Sequence, residues 1–199
     1  MTKLAIYGLS GNPPANHHLV IIEKLIDNFD SVIVVASGAR AQKPSTIPVP
    51  PFHKKAMIRL ALEDVPNIEI DFYDLNNETF TPHWLLDRRY KEKYPSAERW
   101  FVIGGDIISG GKDGKSEIQR IWQKGPEIWS SLNYAVIDHP GCPVDSSDLP
   151  PNSMVVKMEK LRGRSKLIRE KIMAGLPIDG LVPDKVADYI KENDPYPKN

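Results

Sequence analysis

The chain has 199 residues, 41% hydrophobic and 26% charged, with 26 lysines plus arginines against 26 aspartates plus glutamates. That is enough apolar chain for one ordinary domain with its own core, and zero formal net charge excludes a broad basic face for nucleic acid or acidic membrane, so any anionic ligand must be met locally. A single cysteine, Cys142, excludes an intrachain disulfide or a cysteine-based zinc site and points to a reducing, cytoplasmic setting, and no apolar run reaches the roughly 20 residues that span a bilayer.

In chain order, short β-rich apolar runs alternate with segments of helical period. Leu4 to Tyr7 reads as a buried strand ended by Gly8. Pro13 and Pro14 precede a helix whose Leu19, Ile22, Leu25, Ile26 and Phe29 share one face, and Val32 to Ala36 is a continuous apolar strand, as parallel strands covered on both sides require. After a proline-rich loop from Ser37 to Pro51, Phe52 to Glu63 has helical spacing, Ile68 to Phe72 is a strand, Pro82 to Lys93 a helix and Arg99 to Ile103 a strand running into Gly104-Gly105-Asp106. Ile107 to Lys115 reads as a mobile glycine-rich segment, Ile118 to Trp129 as helix interrupted at Gly125-Pro126, and Tyr134 to Ile137 as a fifth strand stopped by His139-Pro140-Gly141. A second proline-rich loop, Cys142 to Ser153, leads to a last strand at Met154 to Met158, and Ser165 to Ala174 and Pro183 to Glu192 form terminal helices. The pattern predicts a single α/β domain over 1–199, Rossmann-like, with a mostly parallel sheet, helices on both faces, a C-terminal helical segment at about 165–192 and ligands at the carboxyl ends of the strands. The 18 prolines, about twice ordinary usage, are expected to stiffen the loops on that rim.

The first strand-to-helix turn, Gly8-Leu9-Ser10-Gly11-Asn12-Pro13-Pro14-Ala15-Asn16-His17-His18, combines glycines that turn tightly with a helix N-terminus that favours phosphate. It lacks both the Gly-Lys-Ser/Thr of a Walker loop and the Gly-x-Gly-x-x-Gly fingerprint. Adjacent helical histidines face apart and no third ligand stands at metal spacing, so no metal site is predicted and His18 is assigned as a donor to a phosphate oxygen.

This turn resembles the Gly-x-Phe-x-Pro…His-x-Gly-His region of the nucleotidyltransferase superfamily, in particular bacterial nicotinate- or nicotinamide-mononucleotide adenylyltransferases. Further matches follow in order: Thr79-Phe80-Thr81 with Leu85, the Gly104-Gly105-Asp106 strand end, Ile121-Trp122, the His139-Pro140-Gly141 turn, Ser165-Lys166-Leu167-Ile168-Arg169, and the ending from Gly175 to Ile190. The resemblance implies adenylyl transfer from ATP, with Mg²⁺ on the phosphates, to nicotinate mononucleotide or nicotinamide mononucleotide, giving a dinucleotide of NAD biosynthesis and pyrophosphate. It implies catalytic roles for His18, Lys43 and Arg169, and ATP contacts from Gly8, Leu9, Ser10, His18, Gly104, Asp106, Ser165 and Arg169. The pyridine mononucleotide would be met by Phe80, Thr81, Trp122 and His139. Partners are small molecules, with no nucleic acid or membrane.

Four residues depart from the family pattern: Ala15 for the first histidine, His17 for the glycine before the last, Lys166 for threonine and His139 for arginine. Two other functions accommodate the same residues, transfer to another phosphorylated acceptor such as pantetheine phosphate, or nucleotide binding without catalysis. Each residue also has a plainer reading. Trp122 and Trp129, seven apart, lie near one helical face and suit a core; Asp106 suits a cap, Thr81 a helix N-cap and Arg169 a solvated charge; His53 and His83 read as surface or structural.

Overall fold

A computed structural model describes residues 2–38, 49–159 and 164–196. The first strand, β1 (Thr2–Leu9), leads into α1 (Asn16–Ile26), β2 (Ser31–Ala36), α2 (Pro51–Leu62), β3 (Ile68–Asp71) and the short α3 (Tyr73–Asn76). There follow α4 (His83–Lys93), β4 (Ala97–Gly104), α5 (Gly105–Ile108), α6 (Glu117–Ile121), α7 (Gly125–Ser131), β5 (Asn133–Asp138), β6 (Ser153–Lys157), α8 (Ser165–Met173) and α9 (Asp184–Asn193). The six strands form one sheet in the order β3-β2-β1-β4-β5-β6. The β1·β4, β4·β5 and β5·β6 pairings are parallel, with Ile6 opposite Phe101 and Phe101 opposite Tyr134. No helix among the described residues is long and apolar enough to cross a membrane.

The strand cores confirm the apolar-run reading. Leu4 to Tyr7, Val32 to Ala36 and Tyr134 to Ile137 are buried at every position, and because successive strand residues point to opposite faces, both faces are covered there. Phe29, placed on the first helix by periodicity, lies beyond its end; its N–H still reaches the Leu25 carbonyl at 2.9 Å and its ring packs on Trp100.

Two compact units account for the described residues. The first comprises Met1–Tyr7, Lys24–Ile33 and Thr81–Leu161. In it the Ile107 to Lys115 segment, expected to be mobile, is built as α5 and a 3₁₀ turn at Gly111–Asp113. The buried Asp148 carboxylate is the reason: it accepts the Gly110 and Lys112 N–H groups at 2.9 and 3.2 Å. The expected face shared by Trp122 and Trp129 does not form either. Trp122 is extended, Lys124 has φ +56°, and α7 starts afresh at Gly125. Trp129 does pack, against Gly111.

The second unit comprises Gly8–Glu23, Val34–Phe80 and Arg162–Asn199. Here α9 is fixed to α2: Lys185 pairs with Glu63 and with Asp64, and His53 shares a 2.8 Å hydrogen bond with Tyr189. Gly38, just past β2, lies so near the backbone carbonyls of Asp74 and Thr79 that a Cβ would overlap both. Backbone cannot swing aside as a side-chain tip can, so Gly38→Ala is expected to cost roughly 1–3 kcal/mol, read as a lower urea midpoint at unchanged slope.

Candidate functional site

The first turn gathers most of the phosphate-binding candidates of the second unit. Gly11 has φ +56°, and a Cβ there would strike the Ile58 side chain of α2, so the position demands glycine on two counts. The chain passes through a cis Asn12–Pro13 peptide, with residues 11–15 buried. The carbonyls of both residues are claimed from α8: Arg169 Nη1–H donates to the Asn12 carbonyl at 2.7 Å, and Ser165 Oγ–H to that of Pro13 at 3.2 Å. Arg169 is therefore not a solvated helix charge. Its Nε–H is buried and unpartnered.

His18 is bound into the same turn. The Ala15 N–H donates to His18 Nδ1 at 3.0 Å, which leaves Nδ1 unprotonated and Nε2 carrying the N–H. Burial, reinforced by the adjacent His17, pushes the His18 pKa down to about 3. The imidazole assigned as a phosphate donor is therefore a neutral one at physiological pH. His17 occupies the position of the family's glycine; its ring lies 3.9 Å from that of His18, its Nδ1 is buried without a partner, and burial lowers its pKa too. Not every N–H at the helix entrance is free for an anion, because Asn16 N–H already bonds to the Leu181 carbonyl at 3.0 Å. Gly8 and Ser10 are exposed and Leu9 buried, and a Cβ at Gly8 would meet open space. Lys43 lies outside the described residues. Lys166 is a solvated partner of Glu170.

The first unit holds the other candidates apart from Phe80, which belongs to the second. Gly104 ends β4 and is itself the N-cap position of α5, so Asp106 does not cap that helix; it is exposed in the first turn with its carboxylate folded over Gly104. His139 Nδ1 accepts the Gly141 N–H at 3.1 Å, again leaving Nε2 as the donor, while its carbonyl accepts Cys142 N–H. Burial and the nearby Asp106 raise the Cys142 pKa, which makes the thiol a poor nucleophile. Pro82, not Thr81, is the N-cap of α4, so the capping explanation of Thr81 fails. Phe80 is half-buried.

Trp122 is held on two sides. Its indole N–H donates to Glu117 at 3.1 Å, and the His83 imidazole stacks on its face, 4.0 Å between centroids at 25°. His83 in turn sits 5.3 Å from the Phe101 ring. From sequence His83 reads only as surface or structural and Glu117 is not singled out; no periodicity links them, since one follows Pro82 and the other opens a different helix. Among the described residues no three His, Cys, Asp or Glu side chains group as a metal-ligand set.

The family model described as cytidylyltransferase-like matches residues 7–171. The nicotinate-nucleotide adenylyltransferase of Bacillus subtilis is 26% identical over 202 residues, covering 98% of this chain and 99% of the relative. Two structures of Plasmodium falciparum nicotinic acid mononucleotide adenylyltransferase, one complexed with NaAD and one with APC, share the fold: TM-scores are 0.77 and 0.74 at 20% and 18% identity. They cover 98% of this chain and 97% and 96% of theirs.

The depressed His18 pKa makes folding pH-dependent. The folded state binds the His18 proton less tightly than the unfolded chain, so stability present above pH 6.5 is lost as pH falls from there towards about 3. Urea midpoints of the wild type are expected to fall more steeply over that window than those of His18→Gln. An imidazole NMR signal for His18 that titrates near pH 6.5 would contradict the neutral assignment.

Proposed function

The chain belongs to the cytidylyltransferase-like family, and from that premise we propose that it is an adenylyltransferase of NAD biosynthesis, joining ATP to nicotinate mononucleotide with release of pyrophosphate. The supporting observation is the first turn, whose carbonyls are held by α8 while His18 keeps its Nε2–H as a fixed neutral donor. The likeness of the whole chain to proteins named for this activity supports the same reading. Residues 1–199 would serve as one nucleotidyltransferase-like domain, in the cytoplasm.

The reaction needs no protein nucleophile. A phosphate oxygen of the mononucleotide attacks the α-phosphorus of ATP in line, the bond to the bridging oxygen breaks and pyrophosphate leaves; the protein's share is positioning and stabilisation of growing charge. Mg²⁺ enters as part of the metal–ATP substrate and neutralises phosphate charge. His18 Nε2–H would donate to a phosphate oxygen, and because the ring is neutral it binds charge without passing a proton. Lys43 and the unspent guanidinium edge of Arg169 would supply cationic donors, with Ser165 and the backbone of Gly8, Leu9 and Ser10 lining the nucleotide. Gly104 and Asp106 would meet the ribose hydroxyls of ATP, the carboxylate accepting from them. For the acceptor, Trp122 offers a flat surface for the pyridine ring, with Phe80, Thr81 and the Nε2–H of His139 about its carboxylate. Nicotinate presents a charged carboxylate to accept from that Nε2–H where nicotinamide has only an uncharged amide, which favours nicotinate mononucleotide. An aromatic platform has no counterpart need in an acceptor such as pantetheine phosphate.

The test is pyrophosphate release with ATP, Mg²⁺ and each mononucleotide. Turnover is expected with nicotinate mononucleotide, and His18→Ala is expected to lower kcat/KM by about ten- to a hundredfold, the loss of one hydrogen bond to a charged group. Measurable ATP binding without turnover on any acceptor would instead favour a nucleotide-binding protein that has lost catalysis.

A further inference from the structure

Lys54 stands in the first half of α2, and its Nζ–H donates to the Ser37 carbonyl at 3.0 Å. That carbonyl is its one acceptor among the described residues. The neighbouring cations of the same helix are engaged elsewhere, Lys55 with Asn76 Oδ1 and the Phe72 ring, and Arg59 with that ring. Lys54 is thus a half-buried ammonium with no carboxylate partner among the described residues, and burial lowers its pKa. Charge removed from water without a counter-charge is costly, and the arrangement is balanced only when an anion is present.

Its position says where that anion comes from. Ser37, whose carbonyl holds Lys54, gives its own N–H to the Leu9 carbonyl of the first turn at 2.9 Å. Ile58, one helical turn after Lys54, is the side chain against which Gly11 of the same turn is packed. The ammonium is therefore tied, through one residue on each side, to the turn that carries His18 and is held by Arg169, at the carboxyl end of β2, where open α/β sheets bind ligands.

We propose that Lys54 is a phosphate-binding residue of this site, contacting a phosphate group of a nucleotide substrate with the ammonium donors that Ser37 leaves free. The proposal rests on the adenylyltransferase reading for the choice of ligands, though not on turnover. ATP and nicotinate mononucleotide share the phosphate chemistry, and separate titrations tell which one Lys54 meets.

Calorimetric binding of each ligand is compared in wild type, Lys54→Gln and Lys54→Arg, with urea midpoints measured on the same proteins. Glutamine keeps an N–H donor for the Ser37 carbonyl and removes only the charge, so a folded variant is expected with a midpoint near that of wild type. Its affinity for the ligand that Lys54 contacts should drop about ten- to a hundredfold, and arginine should recover most of the loss. Unchanged affinity of Lys54→Gln for both ligands would overturn the proposal. So would a loss that arginine does not recover and that comes with a lowered midpoint, the mark of a structural lysine. A wild-type chain that binds phosphate ligands but releases no pyrophosphate defeats the adenylyltransferase reading alone, whereas one that binds neither ligand defeats both.

Discussion

The hydrogen bond from Arg169 to the Asn12 carbonyl, 2.7 Å across 157 residues of sequence, is the constraint on which the first turn depends. A tight turn with two prolines presents carbonyls that no helix or strand ladder can use, and buried carbonyls without donors are unfavourable. The start of α8 supplies the donors, Arg169 for Asn12 and Ser165 for Pro13. Once the turn is fixed in this way, Ala15 N–H can reach His18 Nδ1, and that single contact sets the tautomer of the ring. The C-terminal signature thus shapes the N-terminal turn before it touches any ligand.

This division of labour changes the electrostatics expected of a neutral protein. His18, whose pKa burial pushes down to about 3, adds no positive charge to the first turn. Neutral donors offer direction and cationic ones strength, and the second unit keeps the two apart: a fixed Nε2–H on α1, and ammonium and guanidinium groups on α2 and α8. The altered histidine pattern also has a local logic. Ala15 is completely buried, so the place of the family's first histidine is filled by packing and its backbone N–H, not its side chain, serves His18.

Much of the fold was legible from the chain itself. Short β-rich runs located all six strands; those covered on both faces, such as Val32 to Ala36, need no alternation, whereas β3 alternates isoleucine with carboxylates and is half-buried throughout. The helices with a clear apolar face were found to within a few residues, α9 among them. Short α3 and α5 were missed, since four residues carry no period. The Ile107 to Lys115 segment looked mobile because glycine content is visible in a sequence and the Asp148 carboxylate, more than 30 residues on, is not. At the candidate site, residue types single out the turn and α8, but protonation and hydrogen-bond direction come only from geometry. Lys54 gave no signal at all: a lysine in a basic helix reads as solvated until its neighbours are known to be otherwise engaged.

Trp122 shows the same limit from the other side. A spacing of seven suggests that Trp122 and Trp129 share a helical face, and an unbroken helix would have made both core residues. Gly125 prevents that: a Cβ there would run into the backbone carbonyls of Ile118 and Gln119, so the chain can fold this closely back on α6 only at glycine. The corner ends α6 before Trp122, leaves that residue extended and half-buried, and starts α7 with Trp129 packed on Gly111. Two tryptophans with one apparent period are thereby separated into a structural residue and a ring displayed at the end of a helix. Glu117 and His83 then fix that ring's orientation from its edge and from its face. A flat surface held in this way loses little freedom when another planar ring is laid on it, which is the property that a pyridine-binding residue requires.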